Sequence, residues 1–381
     1  MTLKRRAAKL YIGIVIVTVL LNVLAWSSAA FCDAYVAYVF PLWTNTYGRL
    51  TGLFPFSVGE WMLVLGILLI LLAVVTAALA AFLPSLHAFA KGYFRFFAWV
   101  LACVCLIMTL NCSMLYHVTP FSERYMGGAP GEYSLEELLS VRNFVASECN
   151  WLSGEVLRDE RGYILYVGGE SALQGKARQE MQRLGERYER LRGYYPRPKP
   201  LFFSDFMCQQ NMLGWYFPFS MEANYNRVAY VMNQPASMCH ELAHLKGFIY
   251  EDEANFIAYL ACVQSEDIYF QYSGYLSVLG YLERDLRNAA AQDPERFAEA
   301  CALQEPVTLL DVVYEDDRFV TEEEWERIEG KALLDTETVD KATDTFLDTT
   351  LKANGVSDGT VSYSHVVKLL LQYYSDSVGG R

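Results

Sequence analysis

Three uninterrupted apolar runs fill the first third of the chain, and no comparable run follows them. Residues 10–31 read LYIGIVIVTVLLNVLAWSSAAF, residues 61–83 WMLVLGILLILLAVVTAALAAFL, and residues 96–116 FFAWVLACVCLIMTLNCSMLY. None contains a charged side chain. At about 1.5 Å per helical residue, each is long enough to cross about 30 Å of hydrocarbon. Core helices of a water-soluble protein are neither this long nor this uniformly apolar, so the pattern predicts three transmembrane helices and a membrane anchor over residues 1–117. Lys4, Arg5, Arg6 and Lys9 precede the first run, and Ser28-Ala29-Ala30 has the small residues of a signal-cleavage site. The run exceeds the usual length of a signal-peptide core, so an uncleaved anchor is expected.

Beyond residue 128 the pattern becomes mixed. Ser134 and Glu137 form a capping box that opens a helix ending near Leu152. A polar helix is expected over 172–192, stopped by the prolines of YYPRPKP. Two stretches rich in aromatic and β-branched residues, 201–207 and 214–232, have strand character. Helices then return at 253–264, 273–291, from 321 onward (Thr321 and Glu324 repeat the capping box) and at the terminal YSHVVKLLLQYYSD. The expected fold class is α+β: three N-terminal transmembrane helices followed by a mainly helical domain, residues 118–381, with a small sheet.

Charge fixes the expected orientation. Only Arg49 is basic between residues 32 and 60, whereas Lys91 and Arg95 stand between the second and third runs. The bias places the N-terminus and that second connection in the cytoplasm, and three crossings place residues 118–381 outside. A multi-pass protein of a plasma membrane is expected, with the lipid bilayer as partner. A net charge of −13 excludes nucleic acid. Cys149, Cys208, Cys239, Cys262 and Cys301 fall in the outer domain, where disulfides are chemically allowed, and their spacing assigns no pairing.

The chemistry concentrates in SMCHELAHLKGFIYEDEAN, residues 237–255. It contains His240-Glu241-Leu242-Ala243-His244. Four residues is slightly more than one helical turn, so both imidazoles leave one face and can grip one zinc ion, Zn2+. Glu241, beside the first ligand, is placed to take a proton from a water on the metal. A catalytic zinc ordinarily has three protein ligands and one open position. The third is expected from the acidic helix that follows, from Glu251 or alternatively Glu253. Glu251 is preferred because Asn255 stacks four residues on, where its amide can orient a ligand. Glu222 and Phe219, on the stretch before the motif, are candidates for binding an extended peptide or protein substrate along a strand edge. His365, Tyr275 and Tyr281 are candidates for oxyanion stabilisation, a role the sequence does not assign.

The chain resembles the bacterial membrane proteins of the domain-of-unknown-function 3810 family. The resemblance rests on the three apolar runs, GWYFPFSMEANYN, CHELAHLKGFIYEDEANFIAYLAC and the tail YSHVVKLLLQYY. That family is similar to the gluzincin metallopeptidases, whose second motif in minimal members, Glu-x-x-Ala-Asn, falls on Glu251, Ala254 and Asn255. The resemblance implies a zincin-like outer domain and a bacterial plasma membrane.

Two readings of function follow. One is a membrane-anchored zinc metallopeptidase in which His240, His244 and Glu251 hold zinc and Glu241 is the general base. The other is a non-catalytic membrane-anchored sensor or scaffold with a structural or vestigial zinc site. Structural zinc is usually closed by four Cys or His ligands. Cys239 points about 100° away from His240 on the helix and makes a poor fourth ligand, which favours the first reading.

Overall fold

The architecture comes from a computed structural model, which describes residues 3–359 and 365–379. Residues group into two units. The first comprises residues 1–118 and 217–222, the second residues 119–216 and 223–381.

In the first unit, α1 (Leu3–Ser27), α4 (Val58–Phe82) and α5 (His87–Asn111) carry the apolar runs. Among the described residues, three segments are long and apolar enough to cross a membrane: Arg6–Ser27, Val58–Phe82 and Pro84–His117. Their bounds differ from the expected 10–31, 61–83 and 96–116, most of all at two points. The first helix stops at Ser27 rather than residue 31, because Ser28 turns out of the helix and its hydroxyl accepts the Phe31 amide at 3.2 Å, opening α2 (Ala29–Tyr38). The third begins at Pro84 rather than 96, since Lys91 and Arg95 are tolerated within an otherwise apolar helix. The connection between α1 and α4 is also helical. It holds α2 and α3 (Phe40–Thr51), and α3 buries Phe40, Thr44, Gly48 and Thr51 along one face.

That face meets residues 217–222 inside the same unit. The Thr51 hydroxyl donates to the Ser220 carbonyl at 2.9 Å, and a β-carbon at Gly48 would lie 3.3 Å from the Met221 carbonyl oxygen. Asn111 donates to the Pro218 carbonyl at 2.8 Å.

The second unit is mainly helical. Its helices are α6 (Phe121–Tyr125), α7 (Leu135–Ser153), α8 (Gly169–Arg187), α9 (Ser204–Gln209), α10 (Asn233–His244), α11 (Glu251–Val263), α12 (Ile268–Gln292), α13 (Pro294–Leu303), α14 (Asp311–Asp316), α15 (Glu322–Glu329), α16 (Thr336–Ala353) and α17 (Val366–Gly379). The capping box at Ser134 and Glu137 opens α7, with both reciprocal hydrogen bonds made. The small sheet has the order β1-β3-β2, from β1 (Lys199–Pro200), β2 (Gly214–Phe217) and β3 (Glu222–Tyr225). β1 runs parallel to β3, with Lys199 opposite Asn224 and Pro200 opposite Tyr225.

The expected strand at 201–207 is not formed. After Pro200 the chain turns, the Ser204 hydroxyl donates back to the Leu201 carbonyl at 2.8 Å, and α9 begins with Asp205 in its first turn, where a carboxylate favours the helix dipole. The long stretch 214–232 yields only two short strands.

At the centre lies α11. Its Ala254, Phe256, Ile257, Ala258, Tyr259, Leu260, Ala261 and Cys262 are all buried. A helix apolar on every side has to be enclosed, and α10, α12, α8 and α17 pack around it. The motif helix α10 packs on this enclosed helix, which fixes the two ligand-bearing elements against each other.

Candidate metal centre

His240 and His244 leave the same face of α10, and Glu251 and Asn255 leave the facing side of α11, also four residues apart. The tight join between the helices has a local cause. Gly247 takes φ +83°, a left-handed conformation that favours glycine, and its amide donates to the His244 carbonyl at 2.9 Å. The chain thus doubles back at once, and the Phe248 carbonyl reaches His244 Nδ1 at 2.7 Å. His240 Nδ1 lies 2.8 Å from Asn255 Oδ1.

These two contacts decide where the lone pairs point. A backbone carbonyl and an amide oxygen only accept, so each Nδ1 carries a proton and each Nε2 is the atom left to ligate. The two Nε2 atoms face each other at 3.0 Å. Glu251 Oε2 is 3.0 Å from His240 Nε2, and Glu251 Oε1 is 3.8 Å from His244 Nε2. Two lone pairs and a carboxylate aimed at one point repel unless a cation lies among them. One ligand atom from each residue lies within 4.8 Å of the others, and this is the only such group among the described residues. Bonds of about 2.0–2.1 Å in a tetrahedron imply ligand separations of about 3.3 Å, so the residues fit zinc.

The electrostatics fit as well. Burial disfavours a charged His240 ring, but its hydrogen bond to Glu251 and that carboxylate's charge win and raise its pKa to about 9. Without a metal, a proton answers the converging lone pairs. His244 is driven the other way, to about 4, chiefly by burial. Burial also works to raise Glu251, yet the hydrogen bond from His240 and the charge of His244 hold it below the usual carboxylate range.

Glu241 lies against β2, within electrostatic reach of His240 and Glu251. The Tyr216 backbone N–H donates to its carboxylate. The group is buried, and its Oε2 has no hydrogen-bond partner among the described residues. Desolvation raises its pKa to about 8, with His240 pulling in the opposite direction. A half-satisfied buried carboxylate is costly and marks a place where a further polar group belongs.

Of the other sequence candidates, Tyr281 lies at the site, its hydroxyl 3.4 Å from Asn255 Nδ2, and four lie elsewhere. Glu253 is buried and accepts the Phe121 amide, away from the imidazoles. Glu222 belongs to the first unit, where its two oxygens accept the Val58 amide at 3.2 Å and the Gly59 amide at 2.8 Å, at the start of α4. Phe219, in the same unit, packs at a tilt against Phe217, with ring centroids 5.3 Å apart. His365 pairs with Asp358 at 3.5 Å. Sequence reasoning missed Gly214 and Tyr216 on β2 as neighbours of Glu241. The available signal was the glycine opening GWYF, since glycine in a strand marks a close approach.

The family described as "Protein of unknown function (DUF3810)" matches residues 35–371. The chain belongs to that family. No curated protein and no solved structure matches it. The stretch that defines this DUF3810 chain includes both imidazoles, Glu241, Glu251 and Asn255, together with the second and third apolar helices.

Proposed function

We propose that this protein is a membrane-anchored zinc metallopeptidase of zincin-like design. His240, His244 and Glu251 hold the ion, and Glu241 is the general base. The observation that carries this reading is the convergence of two Nε2 atoms and one carboxylate, with a buried carboxylate beside them that lacks a partner on one oxygen among the described residues.

Zinc, when bound, supplies Lewis acidity and makes a water acidic enough to lose a proton near neutrality. Glu241 takes that proton and delivers it to the amine that leaves when the peptide bond breaks. A pKa raised to about 8 in the metal-free protein suits a group that must both take and give a proton. Asn255 and the Phe248 carbonyl keep the imidazoles in the ligating tautomer. The substrate is a peptide or protein, and the charge bias of the connections puts the catalytic unit outside the cytoplasm with the N-terminus inside.

The test is zinc content and peptide cleavage by the full chain in nanodiscs, with Glu241→Gln alongside. Zinc retained with cleavage lost in the variant is the expected result. A wild-type chain that holds stoichiometric zinc yet cleaves nothing in a diverse peptide library overturns the enzyme.

A further inference from the structure

We propose that Arg190 is a positioning residue for His244: it pins the turn that carries the Phe248 carbonyl, and so keeps that carbonyl on the His244 Nδ1 proton. The inference rests on the zinc reading above for its consequence, though not for its geometry.

His244 finds its acceptor four residues along the chain, beyond the left-handed turn at Gly247. Glycine permits many conformations and by itself holds none, so what keeps Phe248 in place comes from outside the turn. It comes from Glu189–Leu191, the short helical turn that follows α8. Arg190 Nε donates to the Lys246 carbonyl at 3.1 Å, and Arg190 Nη2 donates to the Gly247 carbonyl. The same guanidinium lies over the Phe248 ring, 4.0 Å from its centroid. One rigid planar group thus holds Lys246, Gly247 and Phe248 together. The sense of both hydrogen bonds is fixed, because a guanidinium only donates and a backbone carbonyl only accepts. Holding the Gly247 carbonyl sets the peptide plane that enters Phe248. Holding the ring sets the direction of that residue's Cα–Cβ bond. Together they fix the bond to its carbonyl carbon.

Arg190 is itself anchored. Its backbone amide donates to the Tyr125 hydroxyl oxygen at 3.0 Å. A β-carbon at Gly185 would come within 2.7 Å of the Leu191 carbonyl oxygen, so the turn lies directly on α8. Lys246 laces the two segments in the reverse direction, its Nζ donating to the Arg192 and Tyr194 carbonyls at 2.8 Å and 3.0 Å. That clamp acts at residue 246, ahead of the plane that carries Phe248. Its loss loosens the same join without releasing the acceptor, which separates positioning from simple bracing.

The full chain in nanodiscs, carrying isotope-labelled histidine, is read by heteronuclear NMR for the two Nδ1 protons, with and without zinc. Zinc affinity is measured by competition with a chromophoric chelator. Arg190→Met keeps an unbranched side chain and removes the donors. The His244 Nδ1 proton is expected to move upfield and exchange faster, while that of His240, whose acceptor is Asn255, stays. Zinc affinity is expected to fall about tenfold, the lower end for loss of a partner behind a ligand. Lys246→Met should leave both protons and the affinity as in wild type. An unmoved His244 proton or wild-type affinity in Arg190→Met overturns the inference, as does equal movement of both protons or the same loss in Lys246→Met. Should Arg190→Met not fold, Phe248→Leu removes the ring and keeps the two carbonyl bonds; the His244 proton should again move alone, and its staying put overturns the inference. A wild-type chain that binds no zinc overturns the zinc reading and this residue's role toward a metal; the His244 proton, read without metal, tells that failure from a failure of the geometry.

Discussion

Gly214 leaves no room for a side chain, because a β-carbon built there comes within 2.5 Å of Glu241 Oε1 and within 2.9 Å of two of that residue's carbons. The first residue of β2 is thus moulded to the carboxylate assigned as base. Gly214→Ala should displace Glu241 while leaving the ligands of α10 and α11 in place. The expected outcome is a fall in kcat approaching the ~10²–10⁴-fold worth of general-base catalysis, with zinc stoichiometry unchanged. Steady-state kinetics beside metal analysis check this.

The same carboxylate sets a pH dependence. Glu241 has a folded pKa of about 8 against an ordinary 4.5, raised by burial. A raised pKa means that the folded state binds the proton more tightly. Stability from this group is therefore full below about 4.5 and is lost as pH rises through about 8. Glu241→Gln removes the loss. The metal-free variant should be more stable than the metal-free wild type at pH 8.5, by an amount on the order of a few kcal/mol, and the two should converge near pH 4.5. Denaturant unfolding at several pH values gives the comparison. Convergence at high pH instead would contradict the assignment.

Much of this site was legible in the chain. The spacing of His240 and His244 follows from helical geometry, and the preference for Glu251 over Glu253 came from its stacking with Asn255, which the structure places against His240 at 2.8 Å. What was not legible depends on long-range packing. Nothing local says that the 201–207 stretch turns into α9, because its aromatic content suits a strand equally well and only the hydrogen bond of Ser204 to Leu201 shows the turn. The role of Phe248 depends on the left-handed turn at Gly247, and that of Gly214 on a strand reaching a helix some 25 residues later. Glu222 reads from sequence as a candidate for binding an extended substrate along a strand edge; it is buried, and its carboxylate accepts the two amides that open α4.

Glu222 gives a prediction of its own. Removing its carboxylate leaves the Val58 and Gly59 amides buried without that acceptor. Glu222→Ala should cost roughly 1–2 kcal/mol, the scale of a lost helix N-cap. Thermal unfolding of the first unit in detergent should show the loss, while zinc affinity stays at the wild-type value.

Metal binding should release protons in a predictable number. In the metal-free protein His240 titrates at about 9 and His244 at about 4, so at pH 7 the first is protonated and the second is not. Zinc must displace one proton from the pair. Calorimetry of Glu241→Gln, which has no titrating group at 241, in buffers of different ionisation enthalpy should find about one proton released at pH 7, and affinity that rises about tenfold per pH unit up to about 9.

The central claim is a single cation bound by two imidazoles and a carboxylate. X-ray absorption at the zinc edge, on the purified full chain with its metal counted, tests it most directly. One zinc per chain with the scattering of two histidine rings, lost in His244→Ala, is the predicted result. Zinc absent from the wild type, or an identical spectrum and stoichiometry in His244→Ala, would contradict it.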